Sequence, residues 1–408
     1  MKRYSTYKDS GVKWIGEIPS HWIPVKLKYK LQLINEKIVP NGLQYVGMEN
    51  IESFTGKFVQ SDIKAEGMAN RFSAGDILFG KLRPYLAKVY QCKSNGCCST
   101  ELLVYRNEDF PDFFKYVFLA KPFVDLVNSS TYGSKMPRAN ANFIGSQFIP
   151  VPSLSEQRAI VSFLDTKLGK IDTYMDKEQQ LIERLKELKQ SVIARAVTRG
   201  INPNVRMKPS GINWIGEIPE HWKVNKIRSL FRERREKVSD KEWTALSVSK
   251  DGILPQLQTA VKTDNGDNRK KVCQGDFVVN SRSDRKGSCG FSNYDGSVSL
   301  INIVLKPINV VGQFYHYLFR SNDYIEEFYK NGRGIVADLW TTRYSEMRNI
   351  YIPVPPASEQ HAIVDYLQDK TSKIDKLISE KTRELEYMKE LRQRIISDAV
   401  TGKIDVRS

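Results

Sequence analysis

No run of about 18 apolar residues occurs in the 408-residue chain, so a membrane-spanning helix is not expected. The first residues, MKRYSTYKDSG, are basic but lack the apolar stretch of a secretory signal, and a cytoplasmic location is expected. Cysteine is scarce: Cys92, Cys97, Cys98, Cys273 and Cys289 make an odd set with no CxxC pair. That pattern argues against a disulfide framework or a zinc site and for reduced thiols. The four histidines, His21, His221, His316 and His361, are scattered without the spacing of metal ligands. No GxxxxGK[ST] phosphate loop is present. Nor is there an [N/D]-P-P-[Y/F] stretch, which holds the target adenine in amino-methyltransferases. These absences leave no visible catalytic constellation.

Basic residues, by contrast, are in excess. Sixty-three Lys and Arg against 47 Asp and Glu give a net charge of +16 and a pI near 9.4. In a folded chain that is not secreted, such an excess favours a polyanionic partner, most often nucleic acid.

The sequence is also written twice. SGVKWIGEIPSHW (10–22) returns as SGINWIGEIPEHW (210–222), and IPVPSLSEQRAIVSFLDTKLGKID (149–172) returns as IPVPPASEQHAIVDYLQDKTSKID (352–375). The second match continues without a gap through KELKQSVIARAVT (186–198) and KELRQRIISDAVT (389–401). Between head and tail the copies diverge, with only islands such as Gly75-Asp76 and Gly275-Asp276 in register. The pattern is head, variable body and shared tail, repeated.

Each tail reads as a helix. A Pro-rich stretch precedes it, and Ser155 and Ser358 are the expected N-caps. Leu181, Leu185, Leu188 and Val192 recur at alternating steps of four and three, and Leu385, Met388, Leu391 and Ile395 form a similar stripe, which predicts a coiled-coil seam. A tail of about 40 residues makes a helix of roughly 50–60 Å. Pairing the two tails antiparallel predicts a pseudo-twofold dumbbell with one body at each end. The bodies read as mixed α/β, with strands such as DILFGKL, ELLVYR, DFVVNSR and SLINIVL. One amphipathic helix is expected in each body, FFKYVFLAKPFVDLV (113–127) and QFYHYLFRSNDYIEEFY (313–329).

Two loops stand out. GDILFGKLRPYLAK (75–88) places Lys81, Arg83 and Lys88 around Tyr85, and GDFVVNSRSDRKG (275–287) places Arg282, Arg285 and Lys286 beside Ser281 and Asp284. Guanidinium groups can grip phosphates or read guanine edges, and serine can bond to base edges. A second basic segment precedes each IPVP phrase, with Lys135 and Arg138 in the first copy and Arg333 and Arg343 in the second. His21 and His221, beside Trp22 and Trp222, read as packing residues because nothing acidic or nucleophilic recurs near them in the sequence.

On WIGEIPSHW and WIGEIPEHW, IPVPSLSEQRAIVSFLD and IPVPPASEQHAIVDYLQ, and GDILFGKLRPYL, the chain resembles the specificity subunit of Type I restriction–modification systems, from about residue 10 to 402. The resemblance implies an α/β (α+β) protein with two target-recognition domains, 1–152 and 211–355, and conserved helical regions at 153–199 and 356–403. A linker, 200–210, joins the two halves. Each domain would read one half of an asymmetric split site on double-stranded DNA. The helices would dock two methyltransferase subunits, and restriction/translocase subunits would join afterwards. S-adenosylmethionine, ATP and magnesium would then belong to partner subunits, with no cofactor in this chain. A helix pair of roughly 50 Å is long enough to hold two reading heads one DNA turn apart. A self-contained enzyme and a coiled-coil adaptor or RNA-binding protein remain the alternatives.

Overall fold

The structure, a computed structural model, describes residues 2–40, 42–61, 67–133, 135–257, 266–334 and 340–407. Most of its elements repeat in the same order, even where the sequences have diverged. Strands at Ile77–Gly80, Val89–Gln91 and Gly96–Cys98 return 200 positions later at Phe277–Asn280, Cys289–Phe291 and Gly296–Val298. The first copy continues with helices α1 (Pro111–Leu119), α2 (Lys121–Ser129) and α3 (Ala141–Ser146) before the long α4 (Leu154–Arg199). The second continues with α5 (Gly312–Phe319), α6 (Asn322–Lys330) and α7 (Tyr344–Met347) before the long α8 (Ala357–Val400).

Each body is built on a four-stranded antiparallel sheet. In the first its order is Gln32–Ile34, Leu102–Arg106, Ile77–Gly80, Val89–Gln91; in the second it is Phe231–Glu233, Asn302–Pro307, Phe277–Asn280, Cys289–Phe291. The central strands are covered on both faces, which is why they read as unbroken apolar runs. Ile77 and Phe79 belong to the larger core with α1 and α2, whereas Leu78 joins a smaller core with Phe72, Cys92 and Cys98. Phe277 and Val279 divide from Val278 in the same way. Burial pushes the Cys98 thiol up to about 12 and that of Cys92 higher still, so both stay protonated as small apolar groups.

The repeated phrases close the bodies. The strand after each head pairs antiparallel with the IPVP strand, Ile23–Lys26 with Phe148–Val151 and Lys223–Lys226 with Tyr351–Val354. This brings the two ends of a body together and sets the head on the first turn of the following helix. There Glu156 accepts from His21 Nε2 at 2.8 Å and from the indole of Trp22 at 3.3 Å. Glu359 holds His221 and Trp222 alike, at 2.5 and 2.9 Å. The histidines are half-exposed and each holds its head to the helix through a carboxylate, so an acidic partner does recur beside them; it is the Glu of the Ser-Glu-Gln phrase, about 135 positions away in sequence. Burial works against ionisation of Glu156, yet the bonds from His21, Ser153 and Trp22 hold its carboxyl below the usual range. The N-cap also differs from expectation. The first helix starts at Leu154 with Ser153 as its cap, Ser153 and Glu156 bonding reciprocally. In the second, Pro356 takes that place and Ser358 lies inside the helix.

The chain divides into two compact units that cut across the five linear segments read from the sequence. One unit comprises Met1–Gln179 with Thr382–Ser408, the other Gln180–Lys381. Each long helix is thus shared. In the first unit, Ile160, Leu164 and Leu168 of α4 share a core with Ile395, Ile396, Ala399 and Val400 of α8, and with Trp22 of the head. In the second, Ile363, Val364 and Leu367 share one with Ile193, Ala196, Val197 and Trp222. In both, the segments run antiparallel. Each head therefore seats its tryptophan at the C-terminal end of a long helix, where a left-handed glycine ends the helix, Gly402 (φ 71°) and Gly200 (φ 73°). A β-carbon on Gly402 would lie 2.4 Å from Pro19 and 3.1 Å from Trp22, whereas one on Gly200 would approach Trp222 only to 3.3 Å. Gly402→Ala is expected to destabilise the first unit by about 2–4 kcal/mol, from left-handed strain plus overpacking, and Gly200→Ala the second by about 1–2 kcal/mol. Thermal unfolding of the two variants checks the order.

Two expectations need correction. The single amphipathic helix of each body is a broken pair. Ala120 is extended between α1 and α2, because Pro122 has no N–H to donate and its ring would clash with the Phe118 carbonyl if α1 ran on; it is tolerated only in the first turn of a new helix. In the second body Ser321 breaks the helix, with its hydroxyl turned back to the carbonyl of Leu318. The coiled-coil seam is also shifted. Strict four-three spacing of buried and half-buried positions runs through Ile182, Leu185, Lys189 and Val192, and through Leu385, Met388, Arg392 and Ile395. Leu181, Leu188 and Leu391 lie outside it and are 38, 50 and 40% exposed. The seam takes a cation where a leucine was expected, because an aspartate answers it: Lys189 meets Asp375 at 2.7 Å, and Arg392 meets Asp172 at 3.0 Å. These are equivalent pairs, since Asp172 and Asp375 are 203 positions apart, as are Lys189 and Arg392. Ile182→Ala is expected to cost about 2–5 kcal/mol, and Leu188→Ala less than about 0.5 kcal/mol, in urea unfolding.

His316, on α5, is pushed down to about 4 by burial and by Arg320, and its Nδ1 accepts from the Phe291 amide. An imidazole so depressed favours the folded state above its unfolded value of about 6.5. That contribution is lost as pH falls from there towards 4. The melting temperature of the second unit is expected to drop across this window, and a His316→Leu variant to flatten the drop.

Candidate nucleic-acid interface

In the first unit the central strand Ile77–Gly80 runs directly into the loop that carries Lys81, Arg83, Tyr85 and Lys88. The second basic segment lies against it. Leu82 bridges Arg138, Arg138 bridges Tyr132, the Arg83 amide donates to the Pro137 carbonyl at 2.7 Å, and the Ala139 amide to that of Lys81 at 2.9 Å. The second unit repeats this weave. Arg282 bridges Thr341, Thr341 bridges Arg333, the Ser283 amide donates to Trp340, and the Thr342 amide to Ser281, each at 2.9 Å. The two basic segments of each body thus form one surface at the end of its central sheet.

Within that surface the candidate side chains do different things. Lys81 is half-buried, Arg83 and Lys135 are exposed, and none of the three makes a side-chain hydrogen bond or ion pair among the described residues. Arg83 and Ala87 both adopt left-handed backbone (φ 49° and 44°) at the ends of the turn Pro84–Leu86. Such strain at non-glycine residues is held by the buried Pro84 and Ala87, and it leaves Tyr85 exposed. Lys88 is turned inward to the carbonyl of Ile51. Arg138 grips Glu101 through Nε and Nη2 at 3.0 Å. These two cations brace the loop and offer little to a ligand.

In the second unit Ser281 is 2% exposed and bonds to the Ile301 carbonyl at 2.5 Å, so it supports the loop and is not placed to read a base edge. Arg282 meets Asp284 at 3.0 Å and Arg285 approaches the same carboxylate at 3.9 Å. Lys286 pairs with Glu326 and lies over the Tyr329 ring. Arg333 faces Glu346 at 3.7 Å. Arg343, exposed at the start of α7, has no side-chain partner among the described residues. Residues 335–339 of this segment lie outside the described residues. Glu101 and Glu326 are not legible as partners in the sequence because they lie 37 and 40 positions from Arg138 and Lys286, whereas Asp284 and Glu346 lie within the basic segments themselves.

The shared Gly-Asp islands turn out to be structural. Asp76, 2% exposed, accepts two bonds of 2.7 Å from Arg106 and one from the Ser73 amide. Asp276 accepts from Arg234 at 2.6 and 3.1 Å and from the Cys273 amide. The arginine comes from the sheet strand Leu102–Arg106 in one body and from beside its edge neighbour, Phe231–Glu233, in the other. Among the described residues no group of three or more His, Cys, Asp or Glu could hold a metal ion, and no helix is long and apolar enough to cross a membrane.

Comparison with known proteins places this arrangement. The sequence profile described as "Type I restriction modification DNA specificity domain" matches twice, over residues 27–184 and 216–387. The EcoDI specificity subunit of Escherichia coli is 27% identical over 199 residues, 45% of this chain and 43% of that protein. The EcoBI specificity subunit of Escherichia coli is 22% identical over 315 residues, 71% and 65% respectively, so the chain spans less than two thirds of these relatives. The putative MjaX specificity subunit of Methanocaldococcus jannaschii is 27% identical over 442 aligned positions, 98% of both chains. Among solved structures, a chain of a type I R-M system, studied for complex assembly and conformational transition, superposes with a TM-score of 0.71 at 18% identity over 94% of this chain and 98% of that one. The HsdS subunit from Thermoanaerobacter tengcongensis gives 0.50 at 18% identity over the same shares. With two profile matches spanning most of its length, and a fold repeated in step with them, the chain belongs to the Type I restriction modification DNA specificity domain family.

Proposed function

We propose that this chain is the DNA-reading specificity subunit of a Type I restriction–modification complex, each body reading one half of an asymmetric bipartite site. One observation carries the reading. The same woven surface recurs at the end of both central sheets, on an equivalent four-stranded frame, but with different side chains. A frame held constant while its surface varies is what two readers of two different half-sites require. The net charge of +16 suits a polyanionic duplex, and phosphate contacts from the unpaired cations would make affinity fall with salt.

The chain contributes sequence choice and no chemistry of its own. Methylation and cleavage, with S-adenosylmethionine, ATP and magnesium, belong to methyltransferase and restriction/translocase partners in the cytoplasm. The leucines that fall outside the seam supply a docking face for the methyltransferase subunits, with Leu181 and Leu188 exposed in one unit and Tyr387 and Leu391 in the other. Because the partner must flip its target adenine, the chain binds a deformed duplex.

The test is to map methylated adenines in a genome that expresses this chain with its methyltransferase. Two different half-sites at fixed spacing are expected. Methylation or cutting by the purified chain alone would overturn the proposal in favour of an enzyme. Absence of any duplex sequence preference once the methyltransferase is supplied would favour an RNA-binding or purely structural adaptor.

A further inference from the structure

The woven surface of the first unit carries large apolar side chains where that of the second carries guanidinium groups. Tyr85, Tyr132 and Met136 are 45, 64 and 54% exposed. Tyr132 bridges Arg138 as Arg333 bridges Thr341, and Tyr85 stands 200 positions before Arg285 in loops that start from equivalent strands. Arg285 and Arg333 thus occupy the stations of Tyr85 and Tyr132.

These apolar groups are set for contact. The left-handed backbone at Arg83 and Ala87 fixes the turn that presents Tyr85, and the backbone pairing of Tyr132 with Arg138 fixes the base of its hairpin. Arg138 is itself locked onto Glu101. Rings held this far out in water gain nothing in the free protein, whereas an aromatic face pressed on an unstacked base is desolvated on both sides. The neighbouring cations, Arg83 and Lys135, have no side-chain partners among the described residues, and their charge selects a polyanion as the occupant of this surface.

We infer that the first unit reads its half-site with an apolar wedge, in which Tyr132, flanked by Tyr85 and Met136, enters between neighbouring base pairs and unstacks them while Arg83 and Lys135 hold the adjacent phosphates. The inference rests on the DNA-reading function proposed above. Sequence choice at this half-site then comes largely from how readily a base step opens, with flexible pyrimidine–purine steps favoured. The second unit, with arginines at the same stations, reads by hydrogen bonds and charge.

The experiment uses the full chain and duplexes carrying the mapped site, with 2-aminopurine at each position in turn except the methylated adenine. On binding, a several-fold rise in fluorescence is expected at one step in the first unit's half-site and none at an equivalent step in the other. Tyr132→Ser should abolish that rise and weaken binding about tenfold with an unchanged salt slope, while Tyr132→Phe should keep both. Binding by the unaltered chain without any such rise overturns the wedge and leaves the DNA-reading function standing. No duplex binding at all overturns both. Retained binding and fluorescence in Tyr132→Ser, with loss only of methyltransferase association, overturns the wedge and assigns the patch to the subunit interface.

Discussion

Asp276→Ala is expected to unfold the body of the second unit locally, at a cost of about 3–5 kcal/mol, and Asp76→Ala to weaken the first by somewhat less. Both carboxylates are nearly inaccessible and each ties a tight glycine turn, Gly75 (φ 89°) or Gly275 (φ 87°), to an arginine, Arg106 on the adjacent strand of the sheet or Arg234 beyond it. Removing the carboxylate strands that arginine and leaves the Ser73 or Cys273 amide without its acceptor. Breaking a buried pair from one side costs about 3–5 kcal/mol when the surviving charge cannot reach water. Here the survivors differ. The Arg106 side chain is 35% exposed and regains much of its hydration, whereas that of Arg234 is only 19% exposed. Hydrogen exchange reports the two units separately, so protection should fall in the strands around residue 277 in one variant and around residue 77 in the other. Losses below about 1 kcal/mol in both, or an equal loss spread over both units, would refute this account of the Gly-Asp islands.

The repeat and the long helices were legible in the sequence because their signals are local or periodic: identical phrases, Pro-rich entries and a four-three step. The phase of the seam was not legible. An apolar-stripe reading prefers Leu188 to Lys189 and Leu391 to Arg392, and it cannot see that Asp375 and Asp172 wait opposite. The same blindness hid the role of Glu156 and Glu359, whose partners lie more than 130 residues away. The bodies posed the reverse problem. Their sequences share little beyond Gly-Asp, yet the strands of the central sheet keep the same pairing register in both, since alternating burial and tight turns can be met by many sequences. At the interface, residue type identified the loops, and the weave of Leu82 with Arg138 and of Arg282 with Thr341 shows that each pair of loops is one surface. Which side chains are free for a ligand depends on tertiary partners, so residue type alone does not separate Lys88, Arg138 and Ser281 from Arg83 and Arg343.

Arg282 and Asp284 yield a second large effect, on choice of sequence. The aspartate contacts Arg282 through Nε, which orients the guanidinium and leaves its terminal nitrogens available for a bidentate contact with a base. Arg282→Ala should therefore lower affinity for the cognate second half-site by about 1–3 kcal/mol, roughly 5- to 150-fold, with little change on unrelated duplexes. Arg83→Ala, which removes a phosphate contact of the first unit, should instead weaken binding to every duplex alike. Asp284→Asn should do something different. It frees Arg282 and Arg285 from a neighbouring negative charge, so affinity for any duplex rises while the preference for the cognate one falls. Competition binding at several salt concentrations separates these outcomes, because a lost phosphate contact weakens all sequences alike and reduces the salt slope by about one unit. If Arg282→Ala shows that uniform loss, Arg282 positions the duplex, and reading of the second half-site falls to Arg285, Arg333 and Arg343.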